Sequence, residues 1–73
     1  MYRPTTARQQ EIFNFIVAFI ESNRYPPTRR DISVNFGFKS TNAAESHLVA
    51  LAKRKMIELV PGTVRGIRIK VAA

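Results

Sequence analysis

Apolar side chains in the first third of the chain recur with helical spacing. Ile12, Ile16, Phe19 and Ile20 fall at i, i+4, i+7 and i+8, and Phe13 and Val17 widen the stripe. Just ahead, Thr6-x-x-Gln9 has the form of a capping box, in which the hydroxyl accepts from a backbone N–H and the glutamine reaches back. These signals predict a helix over residues 7–23. It ends before Pro26-Pro27, which lack N–H donors and drive the preceding residue out of helical geometry. Thr28-x-x-Asp31 repeats the N-cap pattern, with a carboxylate suited to the positive end of a helix. Ile32 and Phe36, four apart, share an apolar side, and Gly37 can take the left-handed conformation that closes a helix. A second, short helix is predicted over 29–36.

The third helix follows at once. Ser40 is the expected cap, Ala44, Leu48, Leu51 and Ala52 lie on one stripe, and the helix should run to about Arg54. Lys55 then stands where glycine is favoured, at a small cost in strain. Beyond it the period changes from helical to alternating: Ile57–Val60 and Ile67–Val71 read as half-exposed strands around the turn Pro61-Gly-Thr-Val-Arg-Gly66. A lone hairpin is marginal in water, so this one must pack its apolar side on the helices. The expected fold is mainly α with a small β-hairpin, a single domain over 1–73, with no linker or internal repeat. Its second and third helices, joined by a short glycine-containing turn, have the sequence shape of a helix-turn-helix.

Composition narrows the chemistry. With 73 residues there is room for one domain and a modest core, and 45% hydrophobic residues mark it as globular. Lack of cysteine excludes disulfides and thiolate metal sites; one histidine and five scattered carboxylates suggest no metal centre and no cofactor. No apolar run approaches the roughly 20 residues of a membrane span, and the first residues lack the core of a signal peptide. His47 sits on the flank of the third helix's core stripe, where packing is the expected role; no catalytic residue and no small-molecule substrate are expected. The charge is the loudest bulk signal. Twelve Lys and Arg oppose five Asp and Glu, a net +7, which favours a polyanion through counterion release. Helix-turn-helix, hairpin wing and basic charge together favour double-stranded DNA. RNA is less favoured, because most phenylalanines fall on core stripes and leave no stacking surface.

The stretch "GFKSTNAAESH" (37–47) supplies the second face of the third helix. At 100° per residue, Asn42, Ser46, Val49 and Lys53 cluster opposite Ala44, Leu48 and Leu51, with Glu45 beside them. Side chains this short let a backbone approach base edges. Asparagine pairs with adenine, glutamate accepts from the cytosine amino group, and an alanine methyl meets a thymine methyl. Lys39 and Lys53 are placed to hold phosphates on either side. Ser40 and Asn42 are also ordinary capping residues, and Glu45 also suits the helix dipole.

Thr6-Ala-Arg-Gln-Gln-Glu11, Pro26-Pro-Thr-Arg29, Ile32, Gly37-Phe38, Asn42-Ala-Ala-Glu45, His47-Leu48, Ala50-Leu-Ala52 and Arg65-Gly-Ile-Arg68 resemble the N-terminal DNA-binding domain of the bacterial SOS repressor LexA, in register from about residue 5 to 70. The resemblance implies a winged helix-turn-helix regulator of the bacterial cytoplasm, associated with the nucleoid. Its third helix would enter the major groove of pseudo-palindromic half-sites. Ser40, Asn42, Ala43, Glu45 and Ser46 would then face bases, while Arg8, Arg29, Lys53 and Arg65 would hold phosphates or the minor groove. Two positions depart from that repressor: Ser46 replaces a second glutamate, and Thr41 a proline. A related but shifted half-site is therefore expected. LexA-like repressors continue into a self-cleaving Ser-Lys peptidase domain that also dimerises them, whereas this sequence stops at Ala73. It reads as an excised domain or a stand-alone regulator, monomeric in free solution and pairing weakly or on DNA. The alternative is a protein-interaction module on the same scaffold, using an exposed Val34, Val49 and Val64.

Overall fold

A computed structural model describes residues 6–63 and 65–70. The order is α1 (Ala7–Asn23), α2 (Arg29–Phe36), α3 (Thr41–Lys53), β1 (Ile57–Leu59) and β2 (Ile67–Ile69). The two strands form one antiparallel sheet, with Ile57 opposite Ile69, Glu58 opposite Arg68 and Leu59 opposite Ile67. This is the expected arrangement of three helices and a two-stranded wing. The strands are shorter than the alternation suggested, and Val64 and Val71 lie outside the described residues. Val60 N–H still donates to the Gly66 carbonyl at 2.7 Å, and Lys70 N–H to that of Met56 at 2.9 Å, so pairing extends one step beyond each strand.

Ile12, Ile16, Ile32, Ala44, Leu48, Leu51, Ile57 and Ile67 form the buried core, to which every element contributes. Among the helices, α3 packs on both α1 and α2, and β1 packs on α3. Phe19, expected on the core stripe of α1, is half-buried instead and stands between the rings of Phe15 and Tyr25, both with centroids 5.8 Å away. From Phe15 the aromatic contacts continue through Phe36 and Phe38 to His47, which stacks on Phe38 at 5.7 Å. Offset and edge contacts of this kind add to simple burial in holding the flank of a small core.

The helix ends follow the capping chemistry with two corrections. Thr6 Oγ1 accepts from Gln9 N–H at 3.2 Å, but the reciprocal half of the expected box is not made: Gln9 Oε1 is buried without a partner. Thr28 and Asp31, by contrast, form both halves, each at 3.0 Å. An aspartate at the third helical position reaches back to the cap N–H here, where the longer glutamine turns inward. Ser40 occupies the cap position of α3, yet its hydroxyl makes no capping hydrogen bond. Gly37 takes φ +71°, and Phe38 N–H reaches back to Ser33 O at 2.9 Å, closing α2 in a Schellman motif. Lys55 closes α3 in the same way with φ 61°, so the strain expected there is present.

The wing is fastened to α2 through Arg65. Its Nη1 donates to Pro26 O at 2.7 Å and to Asp31 Oδ2 at 3.3 Å, and its guanidinium lies 4.4 Å from the Tyr25 ring centroid. The Thr28 backbone N–H, chiefly, holds the Asp31 carboxyl below its ordinary value of 3.8; burial opposes, and Thr28's side chain and Arg65 assist.

Two stability measurements check this frame. A methyl on Gly66 would overlap the Val60 carbonyl oxygen, whereas one on Gly37 would meet nothing and suffer only its positive φ. Gly37→Ala should therefore cost about 1–2 kcal/mol. Gly66→Ala should cost more, each kcal/mol lowering Tm by about 4–8 °C in a domain of this size. Because Asp31 has a depressed pKa, its contribution is complete above 3.8 and is lost as pH falls through the lower folded value. Asp31→Asn should thus lower Tm at about pH 7, with the gap to wild type closing in thermal melts as pH falls below 3.8 and through the lower folded value.

Candidate nucleic-acid interface

The candidate interface is built on α3, whose two faces separate cleanly. Ala44, Leu48 and Leu51 are fully buried, while Asn42, Ser46, Val49 and Lys53 are exposed on the opposite side. Ala43 and Glu45 lie on the margins, half-buried. The outward face therefore carries short polar side chains over its first turns and a lysine at its far end. From Asn42 to Ser46 no large side chain stands on this outward face; Val49 and Lys53 follow further along. That shape admits the edge of a base pair to within hydrogen-bonding distance of Asn42 or Ser46.

The turn ahead of α3 is fixed from beneath. Ser33, buried on α2 and not singled out by any sequence pattern, donates its hydroxyl to Ser40 O at 3.3 Å. A serine beside Ile32 reads as an ordinary polar position; only the packing of α2 on α3 reveals the bond. Ser40's carbonyl is thus held while its side chain is exposed, with the hydroxyl outside the cap. Lys39 is exposed beside it, at the junction between the helices.

The expected phosphate-binding residues fall into two groups. Lys39 and Lys53 are exposed and form no ion pair among the described residues. The three arginines are each engaged. Arg8 lies 3.4 Å from Glu11 and has its guanidinium 5.5 Å from the Phe36 ring centroid and 5.8 Å from that of Phe38. Arg65 holds the wing as described. Arg29, at the start of α2, donates from Nε to Glu45 Oε1 on α3. Thr28, Arg29, Arg30 and Thr41 line an open groove of about 410 Å³ between the beginnings of α2 and α3. Two of its four lining residues are arginines, of which Arg29 is already paired with Glu45.

Comparison with known proteins gives the arrangement a family. The LexA DNA binding domain family matches residues 2–66. The LexA repressor of Aliivibrio salmonicida is 57% identical over 67 residues, spanning 92% of this chain and 32% of that protein. The LexA repressor of Cupriavidus pinatubonensis is also 57% identical, over 92% of this chain and 31% of its own length. That of Vibrio cholerae serotype O1 is 54% identical over 69 residues, or 94% and 33% of the two chains. The chain spans about a third of the length of the relatives it matches. With three helices, a wing and a bare outward face on α3, and with a match covering most of its length, this chain belongs to the LexA DNA binding domain family.

Proposed function

We propose that this chain is a sequence-specific reader of double-stranded DNA and acts in transcriptional repression, as the names of its relatives indicate for them. The observation that carries the reading is the outward face of α3: exposed, short-chained and backed by a fully buried stripe. In this reading α3 enters the major groove. Ser40, Asn42, Ala43, Glu45 and Ser46 meet base edges, and Arg8, Arg29, Lys39, Lys53 and Arg65 hold phosphates or the minor groove. Arg65 does so from the base of the wing, and its planar fork has five donors, of which the bonds to Pro26 and Asp31 both use Nη1. Two copies pair weakly, or only on DNA, across a pseudo-palindrome. The setting is a bacterial cytoplasm.

Ser46 gives this reader a preference of its own. A hydroxyl both donates and accepts, so it discriminates less sharply than a carboxylate facing cytosine. The half-site should therefore be related to that of LexA but shifted at one position.

A second reading, a protein-interaction module, rests on Val34. This side chain is 73% exposed and borders a groove shared with Phe15, Phe19 and Asn35. Duplex affinity separates the two readings, since an interaction module would show none even at low salt.

Selection from a random duplex pool should enrich a dyad; recovery of no motif would overturn the reading. If roughly six phosphates are held, log K should fall with log salt at a slope of about −5 per chain. Asn42→Ala should cost about 1–3 kcal/mol of discrimination at one base pair. Lys53→Ala should weaken all sequences alike and reduce the salt slope by about 1 in titrations at several ionic strengths.

A further inference from the structure

Arg29 and Glu45 are separated by sixteen positions in the chain and belong to different helices, yet Arg29 Nε donates directly to Glu45 Oε1. Arg29 is the first residue of α2, and Glu45 lies on the margin of α3's outward face. The bond therefore crosses from the start of α2 to α3. Neither side chain is buried: Arg29 is 30% exposed and Glu45 42%. A pair this wet adds little to stability. Its consequence lies in geometry and charge.

We propose that Arg29 is a positioning residue for Glu45, and that the two read one base pair as a unit. This inference rests on the DNA-reading function proposed above. A free glutamate on a helix facing DNA rotates about three torsions and is repelled by the phosphates around it. Tied to Arg29, the carboxylate is fixed at one oxygen and its charge is compensated. The carboxylate has about four acceptor sites, and the bond to Nε takes one of them. Oε2 is then the oxygen to accept from the exocyclic amino group of cytosine, the base that presents a donor there without a neighbouring acceptor on its own edge. Arginine suits this duty better than lysine. Its planar fork fixes direction as well as charge, whereas an ammonium supplies charge alone.

For Arg29 this duty replaces the phosphate contact assigned above, and a simple phosphate contact makes the opposite prediction. It would add affinity uniformly across sequences and leave the base preference untouched.

The test is random-pool selection and duplex titration with the full chain, its Arg29→Ala, Arg29→Lys and Glu45→Ala variants and the double alanine variant. Folding of each is checked by circular dichroism. Arg29→Ala should flatten preference at the same base pair as Glu45→Ala, by about tenfold, and leave other positions unchanged. The double variant should discriminate no worse at that base pair than Glu45→Ala alone. Arg29→Lys, which keeps the charge, should retain most of the affinity but not the lost preference. Uniform weakening by Arg29→Ala with an unchanged base profile, or full restoration of the profile by lysine, would overturn the proposal. Failure of the wild-type chain to enrich any motif would remove the DNA-reading function and this inference with it. An enriched wild-type motif whose profile Arg29→Ala leaves unaltered would remove the inference alone.

Discussion

Ala44, Leu48 and Leu51 carry α3 into a core shared with α1, α2 and β1, and all three are fully buried. A thirteen-residue helix is marginal in water by itself, so α3 exists as a helix because this stripe is buried. Each buried leucine contributes about 1.5–3 kcal/mol, whereas an exposed polar position shifts stability by about 0.5 kcal/mol or less. The division follows directly. The inner stripe determines that the helix forms and where it sits, while the outer stripe can change with little effect on folding. A reading helix needs that independence, since its outward residues must answer to a ligand and not to the core.

The start of α2 organises the rest of the site. In four consecutive residues, Thr28 and Asp31 complete a reciprocal cap, Arg29 reaches α3, and Asp31 also receives Arg65 from the wing. The other end of α2 is held by Gly37 and by the bond from Ser33 to Ser40 O. The helix-turn-helix is thus braced at the turn and again at its open end. The wing shares the second brace through Asp31, so its placement depends on the same cap that starts α2. Arg65 also covers Tyr25, which ties the wing to the loop leaving α1.

Much of this was legible in the sequence because the signals are local. The bounds of α1 and α2 followed from Thr6, Thr28, Gly37 and the two prolines, all acting within one turn of the element they start or stop. Lys55 was legible for the same reason: a helix must end, and the residue after its last turn takes the strained conformation. The cap of α3 was half legible. The position of Ser40 was evident, but its hydroxyl does not make the capping bond that the pattern implied. Gln9 misled because spacing does not show which way a long side chain will turn. The bonds from Arg29 to Glu45 and from Arg65 to Asp31 were illegible in principle. They span 16 and 34 positions, and only packing decides which charge meets which.

Electrostatics gives the sequence "GFKSTNAAESH" its sharpest meaning. DNA presents closely spaced phosphates, so an uncompensated carboxylate on a groove-facing helix is tolerated only where a base repays it. In the proposed reading Glu45 is not uncompensated, because Arg29 donates to it. Among the described residues no such pair involves position 46, and here it is serine, where the resembling repressor has a second glutamate. Removing that charge eases approach to any duplex and removes a demanding acceptor at the same time. If α3 reads DNA as proposed, affinity for DNA in general and discrimination among sequences are pulled in opposite directions by one residue. Because Ser46 lies outside the core, folding places no constraint on which of the two prevails. In the proposed reading, selection at position 46 can act on DNA preference alone.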